Sequence, residues 1–352
     1  MHSVSSHKTD SIRLRRARTT SGSKVRNRLV SAASSPATTS TRPLRLDDLL
    51  DQVHEVLAIE NADPVQWQSA VDTLFRGLRS LRAEADPAVW QEMIAQGRQH
   101  PVRALVHQDP FTSRAFQKPR GYAGDAVMMD YIYGREENWP RPGATAVGDA
   151  IYQYTTAAPA SSGVRERRCY IAELLDRLGR QAPGQHALAV ASGHLREAGV
   201  STAIRRGCFE RFVAMDADAE SLQVVQNDYG AYGVETQETN VRRLLTGRMD
   251  LGEFDLIYST GLYDYLADNT AQRLTASLFD ALRPGGRLVL ANFLPQIRDV
   301  GYMEMFMDWH LIYRTRGDML RLADELEQPS VGEIRVIAER NENVVIMEMI
   351  KR

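Results

Sequence analysis

The stretch from 187 to 218 limits what this chain can fold into more than any other. Ala187-Leu-Ala-Val-Ala is short and apolar, as a parallel strand covered on both faces must be. Gly193 follows, where the backbone can turn sharply and come close to a ligand. The pattern then predicts a helix from about Leu195 to Arg206, stopped by Gly207, and a second apolar strand ending at Asp216. An acid about 20 residues past a glycine turn is where a Rossmann-like unit holds ribose hydroxyls. A nucleoside-containing ligand across this turn is therefore expected; an ordinary strand–helix turn that binds nothing is the alternative.

The turn is not G-x-G-x-x-G. Only Gly193 remains of the three glycines, followed by His194 and Leu195. A pyrophosphate needs several bare backbone N–H groups at a helix N-terminus. Here the side chains are bulky, and Glu197 in the first turn would repel phosphate. A ligand with a ribose and no phosphate fits better, which points to S-adenosylmethionine (SAM).

At 352 residues the chain can bury a sizeable core in one large or two modest domains. Two cysteines, Cys169 and Cys208, make no disulfide framework and point to a reducing compartment, the cytoplasm. No apolar run approaches the roughly 18 residues of a membrane span. Charge is uneven. Residues 1–42 hold nine Lys/Arg and one acid, Asp10, while the other 310 hold 34 basic and 44 acidic residues. The acidic body argues against a nucleic-acid partner. The tail is Ser/Thr/Arg-rich with few large apolar residues, so it reads as disordered; a transit peptide or a nucleic-acid-binding arm would share that composition.

Residues 43–160 read as an N-terminal helical domain with an aromatic lid. Leu46, Leu49, Leu50, Val53, Val56 and Leu57 repeat at helical spacing, as do Trp67, Val71, Leu74, Phe75, Leu78 and Leu81. Asp63-Pro64 and Asp86-Pro87 mark helix starts. Residues 107–139 differ in kind: prolines and glycines punctuate alternating aromatics and charges. They read as a lid whose Tyr122, Tyr131, Tyr133 and Trp139 face a sulfonium, each cation–π contact worth about 0.5–2 kcal/mol; an ordered connector between domains is the bland reading. Tyr152 and Tyr154 precede a helix beginning near Gly163, on which Arg165 and Arg168 share a face that can grip a carboxylate.

Residues 161–352 alternate strand and helix. Helices are expected over 219–229, 270–282, 303–315 and 318–326, and strands over 234–239, 254–259, 287–292, 333–338 and 344–350. The last two strands form a hairpin, so one of them is antiparallel in a mostly parallel sheet. That is the methyltransferase variant of the doubly wound α/β fold. Ligands in such sheets sit outside the carboxyl ends of the strands, which gathers Gly193, Asp216, Asn240, Ser259, Thr260, Gly261 and Asn292 around one crevice.

Asp255-Leu-Ile-Tyr and Leu282-Arg-Pro-Gly-Gly-Arg-Leu resemble class I SAM-dependent methyltransferases. Lys118-Pro-Arg-Gly-Tyr-Ala-Gly-Asp, Ala191-Ser-Gly-His-Leu-Arg-Glu-Ala and Gly261-Leu-Tyr-Asp-Tyr-Leu resemble a bacterial subgroup. That subgroup includes carboxyl methyltransferases of 3-hydroxy fatty acids and is akin to azetidine-2-carboxylate synthases, which cyclise SAM. The resemblance implies that Asp216 binds the ribose hydroxyls, that Asn240 and Val241 flank adenine, and that Gly193, Ser259 and Thr260 line the methionine portion, with Ala191, Ser192, Ala217 and Gly261 as further cofactor contacts. Arg120, Tyr122 and Arg168 complete the expected cofactor contacts, and Tyr131, Asn138, Trp139 and Tyr154 the reacting end.

Three functions stay open. A small-molecule methyltransferase of secondary metabolism would act on a carboxylate or hydroxyl, held by Arg120 and the lid tyrosines. A cyclase would use SAM as substrate, its α-amine attacking its own γ-carbon. A non-catalytic SAM-binding regulator would bind without turnover. No histidine or cysteine spacing calls for a metal. The chain is expected to be a monomer or homodimer.

Overall fold

The computed structural model describes residues 44–137, 145–182, 184–245 and 252–352; the basic tail lies outside them. Eight helices come first: α1 (Leu46–Leu57), α2 (Pro64–Glu84), α3 (Pro87–Gln99), α4 (Val102–Val106), α5 (Pro110–Gln117), α6 (Ala126–Glu137), α7 (Ala146–Ala157) and α8 (Pro159–Gln181). The apolar periodicities read from the sequence become buried stripes: Leu49, Leu50 and Val53 on α1, and Trp67, Val71, Leu74 and Leu78 on α2. Proline opens both α2 and α3. The Asp63 carboxylate also accepts the Val65 N–H (2.9 Å) at the start of α2, whereas Asp86 before α3 makes no side-chain cap.

The remaining elements alternate: β1 (Gln185–Val190), α9 (Glu197–Val200), α10 (Thr202–Arg205), β2 (Phe209–Asp216), α11 (Ala219–Tyr229), β3 (Val234–Glu238), α12 (Val241–Leu245), β4 (Phe254–Ser259), α13 (Asp268–Asp280), β5 (Leu282–Phe293), α14 (Val300–Phe306), α15 (Arg316–Arg321), β6 (Val331–Ala338) and β7 (Val344–Lys351). The seven strands lie in the order β3-β2-β1-β4-β5-β7-β6. β7 runs antiparallel to both β5 and β6, and the other pairs are parallel. This is the Rossmann-like methyltransferase sheet with its C-terminal hairpin and an N-terminal helical region.

Strand alternation sends side chains to two cores. Ala187, Ala189, Phe212, Ala214, Leu256 and Tyr258 join the larger core with α2, α8 and α14. Leu188, Val190, Val213, Met215 and Ile257 join the smaller one with Leu274 and Leu278 of α13. Leu44–Arg352 is one compact unit in which the first helices share a core with the sheet. α14 locks onto α2 and α3. A Cβ on Gly301 would sit 2.7 Å from the Leu78 backbone, and Glu304 accepts Arg82 Nε and Nη2 (2.7 and 2.8 Å) and Trp90 Nε1 (2.6 Å).

Two expected helices are broken, and a third, expected over 318–326, ends at Arg321 as α15. The helix expected over 195–206 divides into α9 and α10, with Leu195 left-handed (φ 51°) ahead of it and Ser201 extended between the halves. Asp176 on α8 accepts the Ser201 and Thr202 hydroxyls and the Ala203 N–H (2.7, 2.8 and 2.9 Å), starting the second half afresh. The helix expected over 303–315 ends at Phe306. Asp308 turns left-handed (φ 46°), and the chain to Thr315 has no regular structure. Arg314 is buried there, donating from Nη1 to the Tyr263 carbonyl (2.6 Å) and from Nη2 to the Leu266 carbonyl (2.6 Å).

Asp299, just before α14, is buried. Its Oδ2 accepts the Ala160 N–H (2.7 Å), while Oδ1 has no partner among the described residues. Burial raises its pKa to about 6. A carboxyl whose folded pKa lies above its unfolded value of about 3.9 stabilises most below that lower value. That contribution is lost as pH rises through 6. Asp299→Asn keeps the acceptor for Ala160 and removes the charge. Urea unfolding at pH 4.5 and 7.5 should show the variant's stability relative to wild type rising with pH, by at most about 3 kcal/mol. A difference that stays flat, or falls, would contradict the assignment.

Candidate active site

A cavity of ≈ 850 Å³ opens at the carboxyl edge of the sheet, above β3, β2, β1, β4 and β5. That lies within the roughly 300–1,000 Å³ of ligand sites. Its floor comes from the strand exits. Ala191, Gly193 and Leu195 are all left-handed (φ 53°, 52° and 51°), an alternation that curls the turn after β1 around the cavity. Two of the three carry a Cβ, at a cost of about 1–2 kcal/mol each, so surrounding contacts hold the turn. The Ser192 N–H donates to the Met215 carbonyl (3.0 Å), and buried Leu195 anchors the far side.

Asp216 ends β2 facing this turn. Its Oδ2 accepts the Gly193 N–H (2.8 Å) and its Oδ1 the Asp218 N–H (2.9 Å). Burial raises its pKa, and those two N–H groups together with that of Ala217 oppose the rise. Asp216 also lines the cavity. At the β3 exit, Thr239 is buried with no partner for its hydroxyl among the described residues, beside Asn240 and Val241. Asn240 Oδ1 accepts the Arg243 N–H (3.1 Å) and so starts α12. A half-buried carboxylate acceptor next to an orphan hydroxyl fits the ribose and base of an adenosine, so these residues suit a SAM-type cofactor.

The roof comes from residues 118–125 and α6. Pro119, Arg120, Tyr122, Gly124, Ala126, Met129 and Tyr133 line the cavity. Charge networks at its rim tie the roof down. Arg120 Nη1 donates to Asp218 Oδ2 and to the Ser221 hydroxyl (2.9 Å each), and its Nη2 to Glu220 (3.2 Å). Asp130 on α6 takes Arg196 Nε and Nη2 (2.8 Å each) and meets His194 Nδ1 (2.8 Å). Burial acts to raise the pKa of Asp130, but Arg196 and His194 outweigh it and hold the carboxyl below its usual range. Arg120 is thus committed to α11 rather than free to hold an acceptor.

The far wall belongs to β4 and β5. Thr260, Gly261, Leu262, Asp264, Tyr265, Phe293, Trp309 and Leu311 line it. Trp309 Nε1 donates to the Tyr265 hydroxyl (2.8 Å). Asp264 Oδ1 accepts the Phe293 N–H (2.7 Å), and burial lifts its pKa to about 6 despite the nearby Arg167. Glu197 accepts the Tyr258 hydroxyl (2.7 Å), and burial raises its pKa too.

The cavity therefore collects Arg120, Tyr122, Ala191, Ser192, Gly193, Asp216, Ala217, Asn240, Val241, Thr260 and Gly261. Other candidates face elsewhere. Ser259 turns inward and donates to the Val190 carbonyl (2.9 Å). Arg168 lies over the Tyr133 ring (4.4 Å), and its neighbour Arg167 takes the cavity position. Tyr131 packs edge-on to Tyr152 (6.2 Å). Tyr154 donates to Asp72 (2.6 Å), with Arg298 Nη2 on its hydroxyl, away from the cavity. Asn138 and Trp139 lie outside the described residues. Arg167, Glu197, Thr239 and Trp309 also line the cavity and are not among the residues expected there from sequence. Helical spacing on α8 places 164 and 167 on one face, and Val164 also lines the cavity, which was the available signal. Among the described residues no group of three or more His, Cys, Asp or Glu stands close enough to hold a metal.

Residues 189–290 match the methyltransferase domain family. A possible exported protein from Bordetella parapertussis shares the fold: 16% identity, 90% of this chain and 99% of that one, TM-score 0.55. Magnesium protoporphyrin IX methyltransferase from Synechocystis PCC 6803, solved with S-adenosylhomocysteine (SAH), is 10% identical over 65% of this chain and 96% of its own, TM-score 0.45. The N-methyltransferase NodS from Bradyrhizobium japonicum, also with SAH, is 14% identical over 55% and 88%, TM-score 0.39. No curated protein matches. The methyltransferase-domain match thus falls on β1 to β5 of a sheet with the Rossmann-like methyltransferase order. No helix among the described residues is long and apolar enough to cross a membrane.

Proposed function

We propose that this chain is an enzyme of small-molecule secondary metabolism that methylates a carboxylate or hydroxyl of a small acceptor. The observation that carries the reading is one roofed cavity with a nucleoside-suited end at β2 and β3 and an aromatic end at β4 and β5. Bound SAM supplies an electrophilic methyl carbon. Asp216 would hold the ribose hydroxyls, Thr239, Asn240 and Val241 the base, and Gly193, Thr260 and Gly261 the methionine portion. Tyr122, Tyr265 and Trp309 would exclude water from the reacting end, which favours displacement chemistry. A carboxylate acceptor is already ionised at neutral pH. A hydroxyl acceptor would give its proton to Asp264 or Glu197.

The alternative is intramolecular cyclisation of SAM to azetidine-2-carboxylate with release of methylthioadenosine. Half-buried Glu197 and buried Asp264 favour keeping it in view, because it needs a neutral α-amine and both are cavity carboxylates with raised pKa values, suited to taking that proton. One incubation separates the readings: protein with SAM and no acceptor, products followed by mass spectrometry. Methylthioadenosine in turnover amounts would overturn simple methyl transfer. Turnover to SAH only after an acid or alcohol is added would overturn the cyclase. Binding with no turnover under either condition would leave a regulator.

A further inference from the structure

Arg167 is 6% exposed, and its Nε and Nη1 have no hydrogen-bond partner among the described residues. Among the described residues Nη2 reaches the Met129 sulfur, at 4.0 Å. Its guanidinium lies 5.7 Å from the centre of the Phe293 ring, and a Cβ on Gly261 would stand 3.6 Å from Nη2. The group therefore sits at the β4 and β5 exits, two to three strands from Asp216, about 10–14 Å at ordinary strand spacing. A buried guanidinium with unmade hydrogen bonds is costly unless an anion completes it.

We propose that Arg167 is the carboxylate anchor of the cavity, completing its hydrogen bonds only when a carboxylate is bound. A doubly charged phosphate suits the place poorly, because Glu197 and Asp264 line the same cavity within electrostatic reach of Arg167, while Arg120 and Arg196 are already paired with acids at the rim. A monoanion does not meet that repulsion twice, and an α-amino acid would also satisfy the two acids through its ammonium. The carboxylate has two sources: the amino-acid end of the cofactor, or the acceptor. The assignment rests on the proposed cofactor orientation, with adenosine at β2 and β3.

Calorimetry on the full chain tests it with three probes. SAH carries the carboxylate, 5′-methylthioadenosine lacks it, and phenylacetate, added with SAH saturating, is an acceptor-like acid whose neutral control is phenylacetamide. If the cofactor supplies the group, Arg167→Gln should weaken SAH about 10- to 100-fold and leave methylthioadenosine within about twofold. If the acceptor supplies it, SAH is unchanged, and phenylacetate binds wild type but neither the variant nor in its amide form. Arg167→Lys, which keeps the charge without the fork, should fall between, and it decides the matter if Arg167→Gln fails to fold. Unchanged SAH affinity together with no Arg167-dependent binding of phenylacetate overturns the proposal. Failure of methylthioadenosine to bind wild type would instead count against the adenosine site.

Discussion

Asp216→Asn is expected to weaken SAH binding about 100-fold while the protein stays folded. The carboxylate accepts backbone N–H groups of Gly193 and Asp218, with Ala217 adding to them, and it lines the cavity where the ribose is proposed to lie. A hydrogen bond to a charged group is worth about 1.5–3 kcal/mol, so losing the charged acceptor for two ribose hydroxyls reaches about 3 kcal/mol, a hundredfold in affinity. Asparagine also presents an N–H₂ to one side of this cluster of backbone donors and loosens the turn at Gly193, at about 1–2 kcal/mol of stability. Burial raises the Asp216 pKa, so wild-type affinity should weaken on acidification at a higher pH than an ordinary aspartate would give. The variant should lack that dependence. Titration calorimetry across pH with a thermal melt checks both; unchanged affinity would remove Asp216 from the site.

Asp125→Ala is expected to cost about 3 kcal/mol of stability and to weaken SAH binding through the roof. Asp125 is fully buried. It pairs with Arg114 through Nε (3.1 Å) and Nη2 (2.7 Å) and accepts the Met128 N–H (2.9 Å) at the start of α6. Breaking a buried pair costs about 3–5 kcal/mol, and the partial exposure of Arg114 argues for the lower end. The same carboxylate fixes where residues 118–125 give way to the helix carrying Met129 and Tyr133 over the cavity. Urea unfolding and SAH titration should move together. A stability loss under about 1 kcal/mol, or a full loss with unchanged SAH affinity, would separate the roof from the ligand.

What was legible in the sequence was what short-range pattern controls. The apolar run at 187–191, the glycine at 193 and the acid at 216 report one strand–turn–strand unit, and the sheet order follows from such units and the terminal hairpin. Long-range contacts were not legible. Nothing local shows that Asp176 will start a second helix at Ser201. The same holds for Asp308, whose carboxylate takes Arg98 Nη2 (2.6 Å) and Lys118 where the expected helix ends. The site was misread in the same way. Arg120 looks free in sequence because Asp218 and Ser221 lie about a hundred residues away. Arg168 and Arg167 differ by one step of helical phase, which decides between a Tyr133 ring and the cavity. Tyr154 is taken by Asp72. Polar side chains are assigned by partners the chain brings from afar, and apolar periodicity is blind to them.

The most direct measurement is a crystal structure of the full chain grown with SAH. The account expects the ribose on Asp216, the base beside Thr239 and Asn240, and the sulfur beneath Tyr122 toward Gly261. Well-ordered SAH bound elsewhere with this crevice empty, or in the crevice with its ribose turned from Asp216, would contradict it.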